Sequence, residues 1–85
     1  MEEIEESLDV YPNPSPGIFQ ISVENIDMTQ FDIKLLSLAG QQLPIRIREK
    51  AYGTLEIEST AESGIYMLQI RQGEFEVIRK VVIRH

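Results

Sequence analysis

Short runs in which apolar and polar residues alternate, separated by glycine or proline, follow one another along this chain. An extended strand points successive side chains to opposite faces, so a run of this kind predicts a strand with one buried face. No segment keeps the 3.6-residue period of an amphipathic helix, and we therefore expect almost no helix. The alternating runs occupy residues 8–11, 18–23, 31–35, 43–48, 54–58, 64–71 and 75–84.

About seven short strands in 85 residues predict an all-β fold. Strands at this spacing are typical of an antiparallel β-sandwich with two sheets, immunoglobulin-like in general shape. Proline lacks the backbone N–H that a central strand donates, so the prolines at positions 12, 14 and 16 predict that the first strand lies at a sheet edge. Pro44 indicates a second edge strand. The break in alternation at Leu36 indicates a bulge or a strand covered on both faces.

The composition is that of one folded domain. A chain of 85 residues holds a single core and buries roughly 60–65% of its unfolded surface, so we expect a free energy of unfolding of about 5 kcal/mol. Its apolar fraction of 42% argues against disorder away from the ends. Because it has no cysteine, the chain has no disulfide, no thiolate metal site and no thiol nucleophile.

Residues 1–7 contain four glutamates and little that could be buried. They predict a flexible acidic linker in front of a folded domain over residues 8–85. A secretory signal begins with basic residues and continues into an apolar run, so this start does not fit one. No apolar stretch approaches the roughly 20 residues of a membrane-spanning helix. If the protein is exported, its signal therefore precedes residue 1.

The charge is distributed unevenly along the sequence. Residues 1–42 carry eight acidic residues and one basic residue, whereas residues 43–85 carry six acidic and seven basic residues, for a net charge of −6. A nucleic-acid-binding domain concentrates basic residues on one face, so nucleic acid is not an expected partner. Solvated strand faces and the acidic linker account for most of the asymmetry.

Catalytic and metal-binding patterns are weak. His85 is the single histidine, and at the end of the chain it is expected to fray, which excludes it as an oriented base or a zinc ligand. Asp9, Asp27 and Asp32 lack the dense spacing of a calcium loop. Among the aromatic residues, Tyr52 beside a turn glycine is the best candidate for an exposed ring that binds sugars. We expect no enzyme activity, no cofactor and no small-molecule substrate.

Three spaced motifs carry a more specific signal. The first is Pro12-Asn13-Pro14 followed by Gly17, and the second is the apolar run over residues 33–40 that ends at Gly40. The third is Gly64-Ile65-Tyr66 with Gly73, followed by the basic-tipped strand Lys80-Val81-Val82-Ile83-Arg84. In this order they resemble the C-terminal sorting domain (type A) of the type IX, or Por, secretion system. The resemblance covers residues 8–84; it departs from the family pattern at Pro16, at residues 59–63 and at His85.

This resemblance implies a signal domain rather than an enzyme, folded as an immunoglobulin-like β-sandwich. Such a domain follows a cargo domain that reaches the periplasm by its own upstream signal. An outer-membrane translocon and a shuttle protein are then the expected partners, and the cargo is exported through the periplasm to the cell surface or secreted. A surface sortase commonly cuts before the domain and joins the cargo to an anionic lipopolysaccharide.

We expect the final hairpin, from Tyr66 to Arg84, to be the surface that the machinery reads. A terminal strand offers unpaired backbone groups along one edge, which a partner could extend by β-augmentation. Most of Tyr66, Leu68, Ile70, Val81 and Ile83 should form core. The outward-pointing Lys80 and Arg84 are therefore the better candidates for direct contact. The complete set of predicted recognition residues is Pro12, Asn13, Pro14, Gly17, Gly40, Gly64, Tyr66, Gly73, Lys80 and Arg84.

A different class of function also fits a small β-sandwich. A C-terminal module of a surface protein can bind carbohydrate or another protein and remain attached to it. The two hypotheses differ in their consequence for the mature protein, because a sorting domain is removed from its cargo and a binding module is retained.

Overall fold

All but one of the alternating runs form a single strand each, and the strands lie in two antiparallel sheets. The computed structural model describes residues 8–23 and 27–85; the predicted linker at residues 1–7 lies outside them. The described residues contain one 3-10 turn, Met28–Gln30, and no α-helix. The strands are β1 Asp9–Tyr11, β2 Ile18–Ser22, β3 Asp32–Leu36, β4 Gln42–Leu43, β5 Arg46–Ala51, β6 Thr54–Glu58, β7 Gly64–Gln72 and β8 Phe75–Ile83.

The first sheet has the order β1-β2-β6-β5 and the second the order β4-β3-β7-β8. All neighbouring strands within a sheet are antiparallel. The edge strands are therefore β1 and β5 in one sheet, and β4 and β8 in the other. This arrangement confirms the all-β sandwich and the edge position of the first strand.

The alternation over residues 43–48 predicted one strand, but the structure divides this run between two strands. Leu43 belongs to β4 in the second sheet, whereas Arg46 begins β5 in the first sheet. Pro44 and Ile45 cross between the sheets. Proline interrupts the ladder without changing the phase of the side chains, so the pattern continues through the crossing. The described residues consequently contain eight strands rather than about seven.

The core lies between the sheets and is built from alternate residues of the four central strands and of β8. It contains fully buried aromatic and aliphatic side chains, and an edge-to-face pair of Phe31 and Phe75 with ring centroids 6.1 Å apart closes one end. Tyr66 is partly buried against the core. The largest fully buried side chains are Phe19, Ile21, Val23, Leu35, Ile57, Leu68, Ile70, Val81 and Ile83. The expectation that most of Tyr66, Leu68, Ile70, Val81 and Ile83 form core is confirmed.

Of the two explanations for the break in alternation at Leu36, the bulge is absent. The register between β3 and β7 continues without a shift from Asp32↔Arg71 to Leu36↔Met67. Leu36 is half-buried on the outer face of the sheet, so part of the second explanation, cover on both faces, applies. The register shift lies instead between Glu49 and Ala51, where β5 pairs with β6.

Candidate recognition surface

Residues 12–16, which we call the proline strap, leave β1 and cross to the outer edge of β8. The Asn13 side chain lies against that edge: its Nδ2 donates to the carbonyl of Lys80 at 3.0 Å, and its Oδ1 accepts from the N–H of Val82 at 2.9 Å. Ser15 follows with main-chain bonds. Its N–H donates to the carbonyl of Val82 at 2.9 Å, and its carbonyl accepts from the N–H of Arg84 at 2.8 Å. The strap thus adds a short parallel partner to the last part of β8.

The sequence of the strap leaves few alternatives to this pairing. Prolines at 12, 14 and 16 have no N–H, so within the strap only residues 13 and 15 can donate; Asn13 does so with its side chain and Ser15 with its backbone. The Tyr11–Pro12 and Asn13–Pro14 peptide bonds are cis. Ser15 is only 2% exposed, and its Oγ accepts from the N–H of Gly17 at 3.3 Å. The two residues of the strap that can donate are therefore the two that bond to β8.

Gly17 ends the strap where the chain enters β2. Its φ of 109° lies in a region that side chains disfavour, and a Cβ there would be 2.8 Å from the carbonyl oxygen of Ser59. The N–H of Ser59 donates to the carbonyl of Gly17 at 2.8 Å. Close backbone approach and a positive φ both require glycine at this position.

The start of β7 lies beside the strapped end of β8, because Gly64 pairs with Ile83. The Tyr66 hydroxyl donates to the carbonyl of Glu62 at 2.6 Å, and its ring lies 3.5 Å from where a Cβ of Gly64 would be. His85 is also held here, contrary to the expected fraying. Its N–H donates to Ser63 Oγ and its Nε2 contacts the carbonyl of Ala61, both at 2.9 Å.

The side chains of Lys80 and Arg84 are exposed at this end of the sandwich. Neither forms an ion pair with another described residue. Their backbone groups, in contrast, are tied to Asn13 and Ser15. The strap, the start of β7 and residues 80–85 therefore form one surface with fixed backbone and two free basic side chains; we call it the strapped surface.

A family model described as "Secretion system C-terminal sorting domain" matches residues 9–84. The chain belongs to this family. The predicted resemblance to the sorting domains of type IX secretion is confirmed, and with it export out of the cell, to the surface or into the medium, by interaction with that machinery. Domains of this kind are generally signals without enzyme activity. No curated protein matches the chain.

Two of the predicted residues lie elsewhere in the sorting domain. Gly40 ends the turn after β3 with a φ of 88°, and Gly73 lies in the β7–β8 turn with a φ of 61°. These turns are at opposite ends of the second sheet. Leu36, at the end of β3 before the Gly40 turn, pairs with Met67, which pairs with Lys80, whereas Gly73 follows Gln72 at the other end of β7. Both glycines serve tight turns, and only Gly40 lies toward the strapped end.

Sequence reasoning missed the serines that complete the strapped surface. Ser15, Ser59 and Ser63 each provide a hydroxyl or backbone group to a neighbour on another element. Of the three, only Ser15 carried a local signal, since it is the one residue between Pro14 and Pro16 that can donate. The partners of the other two are distant along the chain, and nothing near them in the sequence indicates the contact.

The described residues of the sorting domain bring no metal site together. No group of three or more histidine, cysteine, aspartate or glutamate side chains that could hold an ion occurs among them. Thr29 lowers the pKa of the exposed Asp27 carboxyl, because its hydroxyl and its N–H both donate to Oδ1, at 2.6 Å and 3.0 Å. Tyr52 is exposed, as expected, in the β5–β6 turn. No helix in the described part of the chain is long and apolar enough to cross a bilayer.

Proposed function

We propose that this sorting domain takes its cargo through the periplasm to an outer-membrane translocon and that a shuttle protein recognises the strapped surface. The observation that carries this proposal is the fixation of residues 80–84 by four hydrogen bonds with Asn13 and Ser15, two donated in each direction. A recognition element with fixed backbone loses little conformational entropy on binding. The exposed Lys80 and Arg84 then present two charges in a defined arrangement.

A surface sortase would cut in front of the folded domain, at or before residues 1–7, and join the cargo to an anionic lipopolysaccharide. Leu8 supports this position of the cut, because it is only 5% exposed and packs into the core. A protease that cut beyond Leu8 would have to remove a strand from a sheet. A cut in front of Leu8 leaves the sandwich intact.

The charge contacts can be tested by export of a reporter. Residues 1–85 are fused to a periplasmic reporter in a host with the type IX machinery, and reporter outside the cell is compared with reporter retained. We expect Lys80→Glu with Arg84→Glu to retain most of the reporter, because the two basic contacts become repulsive. The matched control is Arg46→Glu with Lys50→Glu on β5, which changes the net charge equally on two other exposed residues.

The purified variants must have the wild-type melting temperature for the comparison to count. Normal export of a folded Lys80→Glu, Arg84→Glu protein would contradict a role for these charges. A wild-type fusion that stays in the periplasm would contradict the sorting function itself.

The fate of the domain separates the sorting signal from a retained binding module. The mass of the mature cargo recovered from the cell surface should lack about 9.8 kDa, the mass of this chain, and carry additional lipopolysaccharide. A surface protein that keeps the full mass would contradict cleavage and favour the binding module.

A further inference from the structure

Among the described residues, the strap covers only part of the outer edge of β8. In an antiparallel ladder, alternate residues point both backbone groups to the same neighbour. The bonds between the strap and the backbone of Val82 and Arg84 show that even-numbered residues of β8 point their N–H and C=O groups outward, away from β7. Glu76, Ile78 and the N–H of Lys80 therefore face outward as well, ahead of the strap.

This uncovered stretch, residues 76–80, which we call the open edge, has backbone groups available for a new strand. No described residue accepts from the N–H of Glu76, Ile78 or Lys80, and the carbonyl of Ile78 accepts a long hydrogen bond of 3.4 Å from Arg79 Nη1. Ile78 is 45% exposed between two charged outward side chains. An edge strand with unpaired backbone groups is a template for pairing with another chain, and here the charges of Glu76 and Lys80 restrict which chain can pair.

A second copy of this chain fits the open edge poorly. If two β8 strands paired antiparallel about Ile78, Lys80 of one would oppose Glu76 of the other, and Val82 would oppose Glu74. The strap already occupies the Lys80 carbonyl and both groups of Val82. The strap of each copy would therefore lie opposite the β7–β8 turn of the other copy. Only the backbone groups of Glu76 and Ile78 would remain to pair.

An extended segment without a strap meets no such obstacle, since it can run past the β7–β8 turn. Cross-strand pairs favour opposite charges and like apolar residues. The chemistry of the open edge thus selects a segment with an acidic residue opposite Lys80, an apolar residue opposite Ile78 and a basic residue opposite Glu76. In an antiparallel partner these occur in that order, each separated by one residue.

We propose that a segment of the export machinery with this pattern adds to the open edge as a ninth strand. The inference rests on the proposed sorting function and adds to it a backbone-mediated contact ahead of the strap. The strap then has a definite consequence for recognition: it limits strand addition to residues 76–80 and so sets the register of the incoming segment.

The test uses proline at one position that faces outward. Ile78→Pro removes an outward N–H and places a ring on the open edge, while the ladder to β7 keeps its donors. The control is Ile47→Pro. The backbone bond between Gly17 and Ser59 shows that odd-numbered residues of β6 point their backbone groups toward β2, and even-numbered ones toward β5. The backbone groups of Arg46 and Arg48 therefore face β6, and those of Ile47 face outward. Ile47 is also an isoleucine in an edge strand, and it is likewise 45% exposed.

In the reporter fusion described above, Ile78→Pro should reduce export by about tenfold or more, a change of about 1.4 kcal/mol in binding. Ile47→Pro should leave export unchanged. Ile78→Thr keeps the N–H and a β-branched side chain but weakens the apolar cross-strand pair, so it should reduce export less than Ile78→Pro does. Export of folded Ile78→Pro at the wild-type level would overturn the proposal. Loss of export in Ile78→Thr equal to that in Ile78→Pro would also overturn it, because the side chain rather than the backbone would then be read.

Failure of this inference is distinguishable from failure of the sorting function, which would appear as retention of the wild-type fusion. The occupant is tested separately by sedimentation velocity of the purified domain. We expect a monomer over the accessible concentrations. A dimer that Ile78→Pro dissociates would assign the open edge to a second copy and overturn the proposal.

Discussion

The Asn13 carboxamide takes the place that a peptide group of a neighbouring strand would take along β8. It presents a donor and an acceptor side by side, and these meet the Lys80 carbonyl and the Val82 N–H. Because prolines flank it, Asn13 makes this contact with its side chain while the backbone on either side cannot donate. Of the short side chains, only asparagine combines both functions in one planar group.

Replacement of Asn13 should reveal this double role. Asn13→Ala loses two hydrogen bonds at an exposed position and should lower the free energy of unfolding by about 1 kcal/mol. Asn13→Asp keeps the acceptor for Val82 but places a carboxylate against the Lys80 carbonyl, so it should be no more stable than Asn13→Ala. Urea unfolding measures both, and amide exchange at Val82 should accelerate. Exposed Gln72 supplies the control, Gln72→Ala, and an equal loss there would contradict the assignment.

Gly17 is a residue whose replacement should be far more damaging than its sequence position in a loop indicates. Gly17→Ala combines a φ of 109° with a Cβ 2.8 Å from the Ser59 carbonyl oxygen, and we expect a loss of about 3 kcal/mol. Gly40→Ala shares the positive φ, but nothing lies within 4 Å of its Cβ, so it should cost about 1 kcal/mol. Thermal or urea unfolding decides, and equal losses at both sites would show that the close approach to Ser59 has no energetic weight.

At the scale of elements, alternation located the strands well because it reports directly on one buried face. Leu68 and Ile70 in β7, and Val81 and Ile83 in β8, are buried as the pattern required. Alternation could not show that the chain changes sheets at Pro44, because the period of two continues on both sides of the crossing. Nor could it show the strap, since the hydrogen bonds of Asn13 reach residues more than sixty positions away.

Asp27, directly before the 3-10 turn Met28–Gln30, makes the stability of this turn depend on pH. Hydrogen bonds from the Thr29 hydroxyl and N–H favour the charged Asp27 carboxylate and lower its pKa. The stabilisation is therefore present above the ordinary pKa and is lost as pH falls through the folded pKa. In an NMR titration, Thr29→Ala should raise the Asp27 pKa and the control Thr60→Ala should not. An unchanged pKa in Thr29→Ala would show that the hydroxyl is not the main cause.

For the whole molecule, the strap joins the two sheets at the edge where they would otherwise be open. It leaves β1 at the edge of the first sheet and pairs with β8 at the edge of the second. In doing so it shortens the accessible part of β8 from the full strand to residues 76–80. A protected edge limits aggregation of the domain during export, whereas an open edge lets a partner strand bind; the strap protects one part of β8 and leaves the other open.

A loosened strap should therefore make the domain self-associate. Asn13→Ala with Ser15→Pro removes three of the four bonds to β8 and leaves the Ser15 position able only to accept from Arg84. Two β8 strands could then pair over a longer stretch, with Glu76 opposite Lys80 in both directions. Sedimentation velocity should show association that increases with concentration, whereas the wild-type domain stays monomeric.

The same experiment identifies the edge that is responsible. Addition of Ile78→Pro to the loosened strap should restore the monomer, because a proline on the open edge removes a donor at the centre of the pair. Addition of Ile47→Pro should not, since β5 lies in the other sheet. A loosened variant that remains folded and monomeric at every concentration would show that the strap does not guard this edge. Rescue by Ile47→Pro would instead assign the self-association to β5.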